Sequence, residues 1–191
     1  METVTPDGRG LILAVAEING GQTDLVLLPM EGDRAIKPLL QSKFSEAGAR
    51  LSPDGRWLAY FSTETGRDEV YVRAYPSLEG KTQISTGGGR QPVWSKKGDE
   101  LFFRGEGAMM AVRVGPAAPL SVSAPRKLFE DRYYNKGGTH TGYDVARDGR
   151  FLMVKDPTAS QAATQANTLP QTNFIVVVNW FEELKQKLQA R

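Results

Sequence analysis

The sequence predicts an all-β fold, a propeller of about four four-stranded blades ending in a C-terminal α-helix, and three observations predict it. A short turn motif recurs four times, as Thr5-Pro6-Asp7-Gly8-Arg9, Ser52-Pro53-Asp54-Gly55-Arg56, Ser95-Lys96-Lys97-Gly98-Asp99 and Ala146-Arg147-Asp148-Gly149-Arg150. Its glycines are separated by 47, 43 and 51 residues, the period of a propeller blade. Each motif leads into short runs rich in Val, Ile, Leu, Phe and Tyr, bounded by Gly, Pro, Asp and Asn, which is the pattern of strands rather than helices.

The turn has its own physical logic. Proline pre-sets φ near −65°, aspartate bonds the backbone ahead of it, and glycine accepts φ > 0. The first two units keep all three residues, the third keeps Gly98, and the fourth keeps Asp148 and Gly149. The first blade (1–47) is expected to hold strands at 2–5, 10–16, 23–29 and 35–40. The second (48–90) places them at 48–52, 57–62, 69–75 and 81–85, where WLAYFS and EVYVRAY alternate in part, as a strand does. The third (91–140) gives 91–95, 100–104, 109–114 and 126–129. The fourth (141–179) gives 142–146, 150–155 and 174–179, with no fourth strand. Residues 155–173 are small, polar and aperiodic and read as a long hairpin loop. Asn179 and Glu182 have the spacing of a capping box, and Trp180, Leu184 and Leu188 share one face, so 180–191 reads as an amphipathic helix.

Composition narrows the function. The chain has 191 residues, 40% of them apolar, which supplies a core. No run approaches the ~18 apolar residues of a membrane span, so no direct membrane insertion is expected. The net charge of +2 is no footprint for nucleic acid. The absence of cysteine excludes disulfides, thiolate metal sites and a cysteine nucleophile. METVTPDGRG has no basic stretch followed by an apolar run and reads as lacking a signal peptide.

Each chemical candidate has a plainer explanation. His140 is the single histidine, and no serine beside it is marked as an activated nucleophile, so it reads as a loop or channel residue. Gly87-Gly88-Gly89 precedes another strand rather than a helix, so it is an inter-blade turn and no phosphate cradle. Asp7, Asp54, Asp99 and Asp148 have turn roles and no calcium-loop spacing. Arg56, Arg67, Arg73, Arg90, Arg104 and Arg113 are interleaved with acids and read as solvated blade edges. No cofactor or metal and no catalytic residue is therefore assigned. Inner strands line a propeller's channel and loops at its faces carry ligands, which leaves Arg50, Ser52, Arg90, Gln91, His140 and Tyr143 as the candidate binding surface.

SPDGRWLAYFSTETGRDEVYVRAYP resembles the TolB-like, WD40-like (PD40) repeat of bacterial β-propellers. With ISTGGGRQPVWSKKGDELFF, LFEDRYYN, YDVARDGRFLMVK and VVVNWFEELKQKL, the chain is similar over nearly its whole length to the C-terminal propeller of bacterial serine/threonine protein kinases. That resemblance implies a non-catalytic sensor or interaction module that binds a protein, peptide or small ligand at channel-mouth loops, and it hints at a place outside the cytoplasm. The kinase motifs themselves are absent, as is the GxSxG of an S9-family peptidase. The alternative reading is a fragment of a propeller-based hydrolase or lyase, or a peptidase's gating propeller, with its catalytic part elsewhere. A four-blade chain with no clasp between its ends is also expected to leave apolar faces on its first and last blades. A homodimer completing a larger ring is one expectation from this, a segment upstream of residue 1 another.

Overall fold

The computed structural model describes residues 3–16, 21–116, 119–133 and 141–154. Among these residues the regular structure is entirely β. The first sheet is built from β1 (Thr3–Val4), β2 (Gly10–Ala16), β3 (Thr23–Pro29) and β4 (Lys37–Leu40). The second contains β5 (Glu46–Leu51), β6 (Trp57–Ser62), β7 (Glu69–Ala74) and β8 (Thr82–Gln83), and the third β9 (Arg90–Trp94), β10 (Glu100–Arg104), β11 (Ala108–Arg113) and β12 (Arg126–Glu130). A two-stranded fourth sheet pairs β13 (Tyr143–Val145) with β14 (Phe151–Met153). All are antiparallel meanders in sequence order, the blade topology of a propeller. The predicted strand at 174–179, the loop at 155–173 and the helix at 180–191 lie outside the described residues.

The recurring turn is built as its residues require. The hydroxyls of Thr5, Ser52 and Ser95 donate to Asp7, Asp54 and Asp99 at 2.6, 2.6 and 2.7 Å. The same oxygens accept the backbone N–H of Gly10, Trp57 and Glu100. Gly8, Gly55, Gly98 and Gly149 all sit at positive φ, between 71° and 84°. In the first three turns the opening residue's N–H reaches a carbonyl five residues on; in the fourth, Ala146 reaches Arg150, only four residues on. The fourth turn is thus one residue shorter. Leu11, Leu58, Leu101 and Phe151 therefore occupy equivalent positions, opposite Val4, Leu51, Trp94 and Val145.

The core lies between the sheets rather than within any one of them. Alternate residues of a strand face opposite ways, so a sheet lying between two others serves two interfaces. Leu58, Tyr60 and Tyr71 of the second sheet meet Ile12 and Leu25 of the first. Trp57, Phe61 and Val72, on the other face, meet Trp94, Leu101 and Phe103 of the third. Phe102, Met109 and Ala111 then meet Tyr143, Val145 and Met153 of the fourth. Burying such side chains fully stabilises the fold by roughly 1.5–3 kcal/mol each.

Two details depart from the sequence reading. β5 begins at Glu46 rather than 48, because a bulge between Ala47 and Arg50 lets the strand run on past Gly48 at φ 67°. Arg104 is no solvated edge residue: it is 1% exposed, because it shares a strand face with Phe102 and that face is covered by the fourth sheet.

Candidate functional site

Antiparallel blades have two ends. One carries the recurring turns. The other, the loop face, carries the β6–β7 and β10–β11 hairpins and the connections between sheets. The inner strands β5, β9 and β13 start at the loop face, and the candidate residues distribute along them.

Gln91 stands where the second sheet has Gly48, four residues before the turn-opening serine, and it too adopts a left-handed conformation, φ 53°. A residue with a Cβ is strained there. Gln91 is 2% exposed, and both of its carbonyls are used. Its backbone oxygen accepts the Tyr143 hydroxyl at 2.8 Å, and its side-chain oxygen accepts the Gly142 N–H at 3.3 Å. Arg50 donates to the Thr141 hydroxyl at 2.9 Å and to its neighbour Ala49's carbonyl at 2.9 Å, while its own carbonyl accepts the Trp94 indole N–H at 3.0 Å. Residues 141–143 thus bring Arg50, Gln91 and Tyr143 into one network. Burial pushes the Tyr143 hydroxyl well above the usual tyrosine range, against the pull of Arg104 and Arg50, so it stays a donor.

Arg104 joins this network, although its place among alternating charges reads as a blade edge. Its guanidinium carbon lies 5.7 Å from the Tyr143 ring centroid, and Nη1 is 3.1 Å from the carboxylate of Asp131, a side chain that is also buried. None of its three nitrogens makes a hydrogen bond. The parity of Phe102 and Arg104 in ELFFR is the available signal, since an inward Phe predicts an inward Arg two residues on.

The other candidates lie elsewhere. Ser52 is 4% exposed at the opposite end of β5, where its hydroxyl is consumed by the Asp54 turn. His140 lies outside the described residues. Arg90 is paired with Asp68 at the rim of a cleft of ≈ 290 Å³ on the loop face. Gly87, Gly88, Gly89, Arg67 and Glu106 are among the residues that line it, and Arg67 lies 3.9 Å from the Glu69 carboxylate that accepts the Gly88 N–H. A Cβ at Gly87 or Gly88 would meet nothing within 4 Å, although the Gly88 N–H is donated to the Glu69 carboxylate and the Gly89 N–H to the Asp68 carbonyl. A larger cleft of ≈ 530 Å³ lies on the turn face between the first two sheets, bounded by Pro6, Asp7, Asp54, Tyr75 and Pro76. Its two carboxylates are already committed to their own turns. Among the described residues no group of three or more His, Cys, Asp or Glu is placed to hold a metal ion, and no helix is long and apolar enough to cross a membrane.

Comparison with solved structures confirms the architecture. A putative TolB from Agrobacterium tumefaciens superposes with TM-score 0.50 at 18% identity, over 66% of this chain and 47% of that one. A puromycin-hydrolyzing peptidase of Mycobacterium tuberculosis gives 0.59 at 19% identity, over 80% of this chain and 27% of that one. The periplasmic gluconolactonase of Pseudomonas aeruginosa gives 0.53 at 19% identity, over 83% and 53%. The chain therefore has a TolB-like propeller fold and spans about half or less of the length of each of these proteins. No family model matches the sequence, and no curated protein does. A TolB and two enzymes appear together in this comparison, and the fold does not choose between their roles.

Proposed function

We propose that this propeller is a non-catalytic binding module that takes a peptide or a protein segment at its loop face, the role implied by its resemblance to the sensor propellers of bacterial serine/threonine kinases. The loop-face cleft is the observation that carries this reading. Its glycine segment puts no side chain in the way of a ligand at Gly87 and Gly88, and Arg67 and Glu106 are exposed charges of opposite sign in its lining. That combination suits an extended polypeptide, which needs main-chain partners along its length and a charge at either side for register. Behind the cleft, the strained Gln91 and the Arg50–Tyr143 network hold the inner strands in place, so the rim is presented by a rigid support.

Selection of a displayed random-peptide library on the whole chain tests this. Peptides should be enriched over a blank selection, and both Arg67→Glu and Glu106→Lys should weaken their binding about tenfold or more, as measured by calorimetry. Both side chains are exposed, and because Arg67 lies 3.9 Å from the buried Glu69 carboxylate a thermal melt of each variant checks that it is folded. An empty selection, or enriched peptides indifferent to both substitutions, would remove the loop-face cleft as the binding site.

A further inference from the structure

We infer that the loop-face cleft selects a peptide by a cationic side chain, the ammonium of a lysine or the guanidinium of an arginine, and that Glu106 is the residue that selects it. This rests on the reading of the cleft as a peptide site. Arg67, Arg90 and Arg104 line the cleft with only Asp68 and Glu106 among them, which at first suits an anion. The pairing of these charges reverses that impression. Arg90 is ion-paired with Asp68. Arg104, 1% exposed, has Nη1 3.1 Å from the buried carboxylate of Asp131. Arg67 has Nε 3.9 Å from Glu69, another buried carboxylate. Each arginine thus has an acid beside it. Glu106 is exposed and, among the described residues, makes neither an ion pair nor a side-chain hydrogen bond.

The backbone of the glycine loop favours the same class of ligand. Gly88 donates its N–H to the Glu69 carboxylate at 2.9 Å, and Gly89 donates to the Asp68 carbonyl at 2.8 Å. The carbonyls of Gly87 and Gly88 accept no hydrogen bond among the described residues. The loop is therefore left with more acceptor oxygens than donors. A lysine brings three N–H donors and an arginine five, and neither brings an acceptor. A carboxylate or phosphate would face these carbonyls and Glu106 without a donor of its own. It could gain Arg90 or Arg104 only by displacing Asp68 or Asp131, which would strand a charge.

Glu106 is also held in place. It stands at the tip of the β10–β11 hairpin, which the Gly105 N–H closes onto the Ala108 carbonyl at 2.8 Å. Gly107 follows at φ 69°, and its carbonyl accepts the Asp131 N–H at 2.9 Å. A carboxylate on a backbone already fixed costs little to orient when the ligand arrives. Exposed charge pairs contribute modestly to affinity, so Glu106 decides which peptide is taken more than how tightly it is held.

Two displayed random-peptide libraries, selected on the full chain, test this: one lacks lysine and arginine, the other lacks aspartate and glutamate. The second should be enriched and the first should not. In a synthetic N-acetylated peptide from the enriched pool, arginine replaced by citrulline, or lysine by norleucine, should bind about fivefold more weakly in calorimetry. Glu106→Gln should cause the same loss, and the two losses should not add when combined. Gly87→Phe locates the site. Gly87 is not at positive φ and a Cβ there would meet nothing within 4 Å, so the ring enters the cleft without a clash at the loop and should abolish binding. Circular dichroism and a cooperative thermal transition establish that both variants are folded. Enrichment of the library without lysine and arginine, by peptides that Gly87→Phe excludes, overturns the charge selection and leaves the peptide site standing. So does full-strength binding of the citrulline or norleucine peptide, or of the original peptide to Glu106→Gln. Full binding to Gly87→Phe, or failure of both libraries, removes the peptide site and this inference with it.

Discussion

Glu46 carries a buried charge with one oxygen unmet. Its Oε1 accepts the Ser42 hydroxyl at 2.5 Å, but Oε2 has no partner, and the residue is 5% exposed. Burial, helped by Asp24 and Glu64 and opposed by Ser42, raises its carboxyl above the ordinary 4.5. The folded state then holds the proton more tightly than the unfolded one, so this group's contribution falls as pH rises from 4.5 through the raised value. Glu46→Gln should accordingly melt higher than wild type above that window, with the advantage vanishing below pH 4.5 in a series of thermal melts. The turn carboxylates run the other way. The Thr5 hydroxyl and the Arg9 N–H hold Asp7 low; burial raises Asp54, but bonds from Ser52 and Arg56 outweigh it. What they contribute is lost as pH falls through those depressed values. Arg104 gives a second test. Burial pulls its guanidinium below the usual arginine range, with the Asp131 charge opposing. Arg104→Met alone strands Asp131 and should cost about 3–5 kcal/mol in urea denaturation, whereas Arg104→Met with Asp131→Leu should recover most of that loss. The inner-strand placement of Gln91 and Tyr143 is legible in the sequence, whereas Arg104 reads as a solvated edge. An arginine closing a strand looks the same whether its face is wet or covered, until the covering sheet is known.

At the scale of the element, glycine at one φ has two meanings. Gly8 and Gly48 lie at φ 71° and 67°, but a Cβ on Gly8 would meet open space, while one on Gly48 would come within 2.7 Å of the Phe61 ring. Gly8→Ala should cost only the left-handed strain, about 1–2 kcal/mol. Gly48→Ala should add about 1–3 kcal/mol of overpacking. Urea denaturation of the two variants compares them, and equal losses would mean that the Phe61 ring yields without cost. The turns themselves are legible in the sequence, because Pro, Asp and Gly each act through local backbone chemistry that needs no tertiary partner. β2, β6 and β10 are legible in the same way, since they follow those turns directly. The bulge at Gly48 is not, because one extra residue in a strand leaves no mark in alternation when its neighbours, Ala47 and Ala49, are both small. β8 is only two residues long for a related reason: at the outer edge of a blade, Lys81, Thr82 and Gln83 have little apolar surface to hold them against β7.

At the scale of the molecule, equivalent residues report on what covers each sheet. Repeat architectures behave as chains of nearest-neighbour interfaces, so a truncation is felt according to how many sheets its side chain touches. Leu58→Ala removes a side chain with no exposure, sandwiched against the first sheet, and should cost about 2–5 kcal/mol at any protein concentration. Leu11→Ala is the same change at the same position of the first sheet, where solvent already reaches the side chain. In a dilute sample of single chains it should cost about half as much or less, because less apolar area leaves water on folding. The blade period is legible from the sequence, and so is the question of the two end faces, but the answer is not, because the residues of a sheet face carry no mark of what covers them. Denaturation of both variants at low and high protein concentration reads that answer from stability alone. If a second copy covers the first sheet, the cost of Leu11→Ala rises towards that of Leu58→Ala as concentration increases, since the lost side chain then leaves a hole in an interface. A Leu11→Ala cost that stays fixed across that range means that no second copy covers the face.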